Sequence, residues 1–332
     1  MMKRIAVIGA GRMGQIHAGN LAGLSGVELA GIHDPVPEAA GRLAQRLGTR
    51  SATLDELLSD PSIDAIAITS PTTTHSDLIR RGAAARKHIF CEKPIDLSVE
   101  RARACAQSVR DAGVACMIGF QRRFDPTFNE ACGRLRRGDI GEPELLVVTS
   151  RDPGAPPPEY IAASGGIFRD MLIHDFDVFR WLMCSDGDAP ESLVATGSVL
   201  TDPSIAKLGD VDTTAVTIRT QRGRLCQINT SRRAAYGYDQ RFEVLGALGM
   251  LQCANVTPYQ VSQWDAHGLH TEKPEAFFLQ RYAAAYRAEM EHFFSSLRDG
   301  TPFLSTVEDG LQAQLLADAA ARSLSSGQWE AL

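Results

Sequence analysis

Through its first 120 residues the sequence alternates short apolar runs with segments whose apolar positions return at helical spacing. Arg4-Ile5-Ala6-Val7-Ile8 has the length of a strand and stops at Gly9-Ala10-Gly11-Arg12-Met13-Gly14. After it, Ile16, Leu21 and Leu24 keep the period of an amphipathic helix. Val27 to Ile32 reads as a second strand, followed by helices from about Pro37 to Leu47 and from Leu54 to Leu58. Ile63 to Ile68 is almost uninterrupted in its apolarity, as a parallel strand covered on both faces requires. A helix from Ser76 to about Ala85, a strand His88 to Cys91, a helix Ser98 to Asp111 and a strand Val114 to Gly119 extend the alternation. Strands separated by helices predict a doubly wound parallel sheet, and its last strand sets a boundary near Gly119 and Phe120.

The pattern then changes. A helix from Pro126 to Arg137 is closed by Gly138, and from Leu145 the chain turns to β structure. A stiff run, Pro153 to Pro158, leads to Tyr160 and the pair Gly165-Gly166. Beyond Thr213, residues alternate in polarity as half-covered strands do: Thr214, Val216 and Ile218 against Thr213, Ala215 and Thr217, then Cys226, Ile228 and Thr230 against Leu225, Gln227 and Asn229. Further strands are expected over 240–245, 250–253 and 259–263. Phe278, Tyr282, Tyr286, Met290, Phe293, Phe294 and Leu297 form a core stripe on one long helix. The fold class is therefore α/β: an N-terminal Rossmann domain over residues 1–120, and an α+β domain over 121–332 with a large, mainly antiparallel open sheet. The uncovered face of such a sheet needs burial, which predicts a homo-oligomer.

Composition excludes more than it assigns. At 332 residues the chain exceeds one usual core, in keeping with two domains. A net charge of -6, with basic residues scattered, leaves no footprint for nucleic acid or an anionic membrane. Apolar runs are strand-sized, so no membrane span is expected. Seven cysteines without a CxxC pair suit buried thiols in the cytoplasm. Neither a disulfide framework nor a metal site is implied.

The turn Gly9 to Gly14 lies between strand and helix. There the first glycine allows a tight turn, the second lets a pyrophosphate approach the backbone, and the third lets helix and strand pack closely. Asp34 ends the second strand, 20 residues past Gly14, where a carboxylate binds ribose hydroxyls and repels a 2′-phosphate; NAD is the cofactor predicted. Gly9, Gly11, Arg12, Met13, Gly14 and Asp34 are the expected contacts from this half of the edge. Ser70, Pro71, Thr72 and His75 follow the third strand and Glu92 and Lys93 end the fourth, also at the carboxyl edge where ligands of open parallel sheets bind. The threonine-rich loop reads equally as a helix cap. Pro94 keeps Lys93 out of helical backbone.

The second domain offers acid/base chemistry. If a helix begins at Phe168, then Asp170, His174 and Asp177 fall at i, i+4 and i+7 on one face. A structural His–Asp pair is as consistent with this spacing as catalysis is, and the presence of a cofactor domain favours catalysis.

Gly9-Ala10-Gly11-Arg12-Met13-Gly14, Glu92-Lys93-Pro94, Gly165 to Asp177 and Arg232 to Arg241 together resemble the glucose-fructose oxidoreductase and inositol dehydrogenase family (Gfo/Idh/MocA). Within it, Ser150-Arg151-Asp152-Pro153 and Tyr236 to Arg241 are similar to the inositol 2-dehydrogenases. The resemblance covers essentially the whole chain and implies a catalytic triad of Lys93, Asp170 and His174. It also implies substrate contacts at Arg122, Asp177 and Tyr236, with Tyr160 a further candidate, and a homotetramer formed through the open sheet, a dimer being the alternative. The expected reaction is NAD-dependent oxidation of a cyclic polyol, myo-inositol to its 2-keto derivative. The rival readings are an enzyme of the same family acting on another inositol isomer, an aldose or an anhydro-sugar, a silent NAD or sugar sensor, and a metal-dependent hydrolase using Asp170, His174 and Asp177.

Overall fold

The computed structural model describes residues 2–332, which form two compact units. One comprises residues 2–124 with 284–314, the other residues 125–283 with 315–332.

In the first unit, strands β1 (Lys3–Ile8), β2 (Val27–His33), β3 (Ala65–Ile68), β4 (His88–Glu92) and β5 (Cys116–Gly119) make a parallel sheet of order β2-β1-β3-β4-β5. Helices α1 (Arg12–Ala22), α2 (Pro37–Leu47), α3 (Leu54–Ser59), α4 (His75–Ala84) and α5 (Val99–Ala112) supply the crossovers. The central strands are apolar on both faces because both are covered. Strand order reverses between β1 and β3, opening a crevice at their carboxyl ends where sheets of this kind take ligands. Met290 and Phe293, from helix Ala283–Asp299, pack with Ile5, Val7, Phe90 and Met117. Periodicity identified this stripe as buried; Met290 and Phe293 are buried against the parallel sheet, whereas Tyr282 belongs to the second unit and packs on Tyr238. The helix is also not continuous, since Phe278–Arg281 forms a separate turn that ends at Tyr282.

In the second unit, α6 (Pro126–Arg136) leads to β6 (Pro143–Arg151), α7 (Pro158–Ser164) and α8 (Ile173–Met183). Strands β7 (Pro190–Ser198), β8 (Thr213–Thr220), β9 (Leu225–Ser231), β10 (Asp239–Gly246) and β11 (Gly249–Cys253) follow. The chain closes with β12 (Ser262–Asp265), β13 (Gly268–Thr271), α9 (Phe278–Arg281), α10 (Ala283–Asp299), α11 (Val307–Ser326) and β14 (Glu330–Ala331). The seven-stranded sheet has the order β11-β10-β6-β9-β8-β7-β14, with β6 and β9 parallel and every other pair antiparallel. Alternate residues of β8, β9 and β10 are buried, while Ala215, Arg219, Gln227, Arg241 and Leu245 are exposed on the opposite face. The segment expected as a strand over 259–263 is instead the start of the exposed hairpin β12–β13. Among the described residues no helix is long and apolar enough to cross a membrane.

Candidate active site

The turn after β1 is built by close approach. Gly9 has φ +107°, and a side chain on it would come within 2.7 Å of the Ser70 backbone nitrogen, so the loops after β1 and β3 touch. A Cβ on Gly14 would lie 1.9 Å from the Gly9 carbonyl oxygen, which is why α1 can start so near the strand. Gly11 differs, because the space where its Cβ would stand is open. It precedes α1 with no side-chain cap, so the first-turn N–H groups of the helix are left to bind an anion. These features fit the pyrophosphate of a dinucleotide. Arg12 is exposed and Met13 half-buried at the start of that helix.

Asp34 is held in place rather than projecting freely. Its Oδ2 accepts the Ala10 N–H at 2.7 Å and its Oδ1 the Val36 N–H at 2.9 Å. Each carboxylate oxygen keeps a second lone pair for a ribose hydroxyl. Ser70 Oγ lies 2.6 Å from Thr74 Oγ1, which donates to the Pro71 carbonyl, so these hydroxyls brace their own loop. His75, expected at the cofactor, is fully enclosed with both ring nitrogens facing carbonyl oxygens, Pro94 O at 2.7 Å and Ser70 O at 2.8 Å. It ties the β3 loop to the β4 loop and has no ring nitrogen left for a ligand. Burial lowers its pKa.

Glu92 turns inward as well. Its Oε1 lies 2.6 Å from Nε2 of the buried His17, on the covered face of α1. The preceding strand thus ends in a buried acid, and Lys93 follows it half-buried at the carboxyl edge. Arg122 is buried in a short turn, Gln121–Phe124, while its neighbour Arg123 pairs with Asp309 at 3.1 Å and the Leu304 carbonyl at 2.6 Å.

In the second unit the segment expected as a plain helix is not one. Phe168–Leu172 is a wide, π-helical turn, and regular α-helical geometry follows from Ile173. A wide turn takes in an extra residue, so Asp170 stands in the π-helical turn while His174 and Asp177 lie within α8. Asp170 is directed by other partners: its Oδ1 accepts the Tyr160 hydroxyl at 2.9 Å and its Oδ2 accepts Arg232 Nη1 at 3.1 Å. Tyr160, a candidate substrate contact, therefore spends its hydroxyl on Asp170. Burial and the Asp170 charge push that phenol upward, so it stays a donor. Two left-handed glycines, Gly165 at φ +82° and Gly166 at φ +84°, reverse the chain between α7 and the wide turn and make this contact reachable. His174 is half-buried, whereas Asp175 and Asp177 are enclosed.

Tyr236 is not brought to this cluster. Its hydroxyl donates to Asp239 at 2.6 Å and accepts from Arg151 at 2.9 Å, and Arg151 reaches Asn229 on the open face of β9. Sequence reasoning missed Asp210, and it named Arg232 only as part of the Arg232 to Arg241 motif, without a role. Arg232 keeps step with Cys226, Ile228 and Thr230, so counting by twos from the buried residues of β9 places a guanidinium on the covered face, where a charge needs a partner.

The sequence matches the oxidoreductase family with an NAD-binding Rossmann fold over residues 3–120, and that family's C-terminal alpha/beta domain over residues 133–332. The chain belongs to the Gfo/Idh/MocA family. This Gfo/Idh/MocA protein is an NAD-dependent oxidoreductase whose first unit carries the Rossmann fold. It is 44% identical over 324 residues to the inositol 2-dehydrogenase of Rhizobium meliloti (strain 1021), covering 98% of this chain and 97% of that one. The structure of a myo-inositol dehydrogenase from Corynebacterium glutamicum superposes with a TM-score of 0.95 at 42% identity, over 100% of this chain and 99% of that one. A scyllo-inositol dehydrogenase from Lactobacillus casei, solved with bound NAD(H) and scyllo-inositol, gives 0.91 at 30% identity over 100% and 99%.

Proposed function

We propose that the protein oxidises one ring hydroxyl of an inositol to a ketone, with myo-inositol converted to its 2-keto derivative. What carries this reading is the near full-length likeness to an inositol 2-dehydrogenase. The pyrophosphate would rest on the Gly9 to Gly14 turn and the first-turn amides of α1, with the ribose on Asp34. When bound, NAD⁺ accepts the hydride that leaves the carbinol carbon. His174 takes the hydroxyl proton, and Asp170 orients the imidazole and balances its charge. Lys93 donates to the reacting oxygen and offsets the negative charge that builds on it. Each turnover thus yields a ketone, NADH and one proton. Arg122 and Asp177 are placed by this reading at the ring hydroxyls, where a buried polar group left unmatched discriminates against the wrong isomer. Tyr160 acts through Asp170.

A second reading, scyllo-inositol as substrate, is favoured by the likeness to the Lactobacillus casei enzyme. The test is NADH formation by purified protein against myo-inositol, scyllo-inositol, other isomers and aldoses, with NAD⁺ and NADP⁺ in parallel. Myo-inositol with NAD⁺ is expected to give the highest kcat/KM. His174→Ala is expected to lower turnover by about 10² to 10⁴-fold with NAD affinity nearly unchanged. Wild-type turnover by that variant would remove His174 from the mechanism. A homotetramer joined through the open sheet face, in a reducing cytoplasm, completes the reading. It is supported by the exposed sheet face and by seven free thiols, six of them buried.

A further inference from the structure

Arg232 is fully buried in the second unit, between two carboxylates. Its Nη1 donates to Asp170 Oδ2 at 3.1 Å, and its Nη2 lies 3.9 Å from Asp210 Oδ2. Its backbone N–H donates to the Asp212 carbonyl at 2.8 Å, so the segment that carries the guanidinium is itself anchored. The second carboxylate is tied to the wide turn, because Asp210 Oδ1 accepts the Ile167 N–H at 3.1 Å. Arg232 has no exposed surface to offer a substrate, so any part it plays in the reaction passes through Asp170. With Tyr160 on the other oxygen, the carboxylate of Asp170 is gripped from two sides and its plane is fixed.

We propose that Arg232 is a positioning residue for Asp170, holding that carboxylate correctly turned toward the proton-transfer histidine. A charge this enclosed is stable only with a counter-charge, and a guanidinium supplies both the charge and a directional donor. Asp170 stands in the π-helical turn, and Arg232 and Tyr160 hold its carboxylate from the side chain outward. The inference rests on the catalytic reading of Asp170.

The test compares Arg232→Met, Arg232→Lys and Asp170→Asn in the full-length protein, measuring kcat, KM and NAD affinity across pH. Arg232→Met is expected to lower kcat by about 10²-fold and to move the acidic limb of the rate profile up by about 1 to 3 pH units, with NAD affinity within about twofold of wild type. Arg232→Lys is expected to return the acidic limb to its wild-type position while kcat stays at least fivefold low, because a point charge lacks the planar fork. A purely structural arginine would lower the melting temperature without moving the limb, and that result overturns the proposal. Should Arg232→Met fail to fold, Arg232→Lys decides alone, and wild-type kcat there overturns the proposal. If Asp170→Asn keeps wild-type turnover, the catalytic reading of Asp170 falls and the proposal falls with it. Loss of turnover in Asp170→Asn beside unaltered Arg232 variants overturns the positioning role only.

Discussion

Glu289 has no exposed surface, and among the described residues neither of its carboxylate oxygens has a hydrogen-bond partner. Burial, and then the charge of Glu92, raise its pKa well above the usual carboxylate range, so the folded protein holds a proton there that the unfolded chain releases. For a group whose folded pKa is raised, the stabilisation is complete below the unfolded value, roughly 4.3, and is lost as pH climbs toward the folded one. Glu289→Gln keeps the shape without the ionisation. It is expected to raise the melting temperature by roughly 3 °C or more at pH 8 and by less at pH 5. A thermal melt series over that range checks it, and equal or lower melting temperatures at pH 8 would refute the protonated state. Little of this was readable beforehand. The stripe through Tyr286, Met290 and Phe293 announced a buried helix face, but only packing shows that Glu289 shares it with Glu92 and His17 across a sheet-covering interface.

At the level of elements, the five parallel strands were legible in the sequence, because each is a short apolar run bounded by turn residues and needs little long-range information to be recognised. The wide turn at Phe168–Leu172 was not legible, since the same residues satisfy a regular helix by pattern, and the contacts that meet the turn, from Asp210 and Arg232, come from distant parts of the chain. Gly165 and Gly166 were the visible trace of it. A side chain at Gly166 would sit 3.0 Å from Asp210 Oδ1 in a left-handed backbone, so Gly166→Ala is expected to cost about 1–2 kcal/mol. It should also reduce kcat roughly tenfold or more through the displaced turn, without weakening NAD binding. Denaturant melts and steady-state kinetics on one preparation test both effects. Unchanged kcat would show that the turn tolerates the shift.

For the molecule as a whole, the sheet of the second unit exposes one face with Leu225, Leu245 and Met250 among its polar residues. If copies of the chain cover that face, sedimentation at micromolar concentration will give a species of four chain masses, and Leu245→Glu will shift it toward smaller ones. A single species of one chain mass would refute assembly. The first unit makes a different demand on the chain, because helix α10 is part of its core although more than 150 residues separate it from β5. A fragment of residues 1–124 is expected to melt without a cooperative transition and to bind no NAD, which calorimetry and cofactor titration would show. During synthesis the apolar face of the cofactor-binding sheet then waits roughly 10–30 s on the ribosome for the helix that covers it. In that interval the uncovered apolar surface is open to aggregation, a hazard that the stability of the finished protein does not remove.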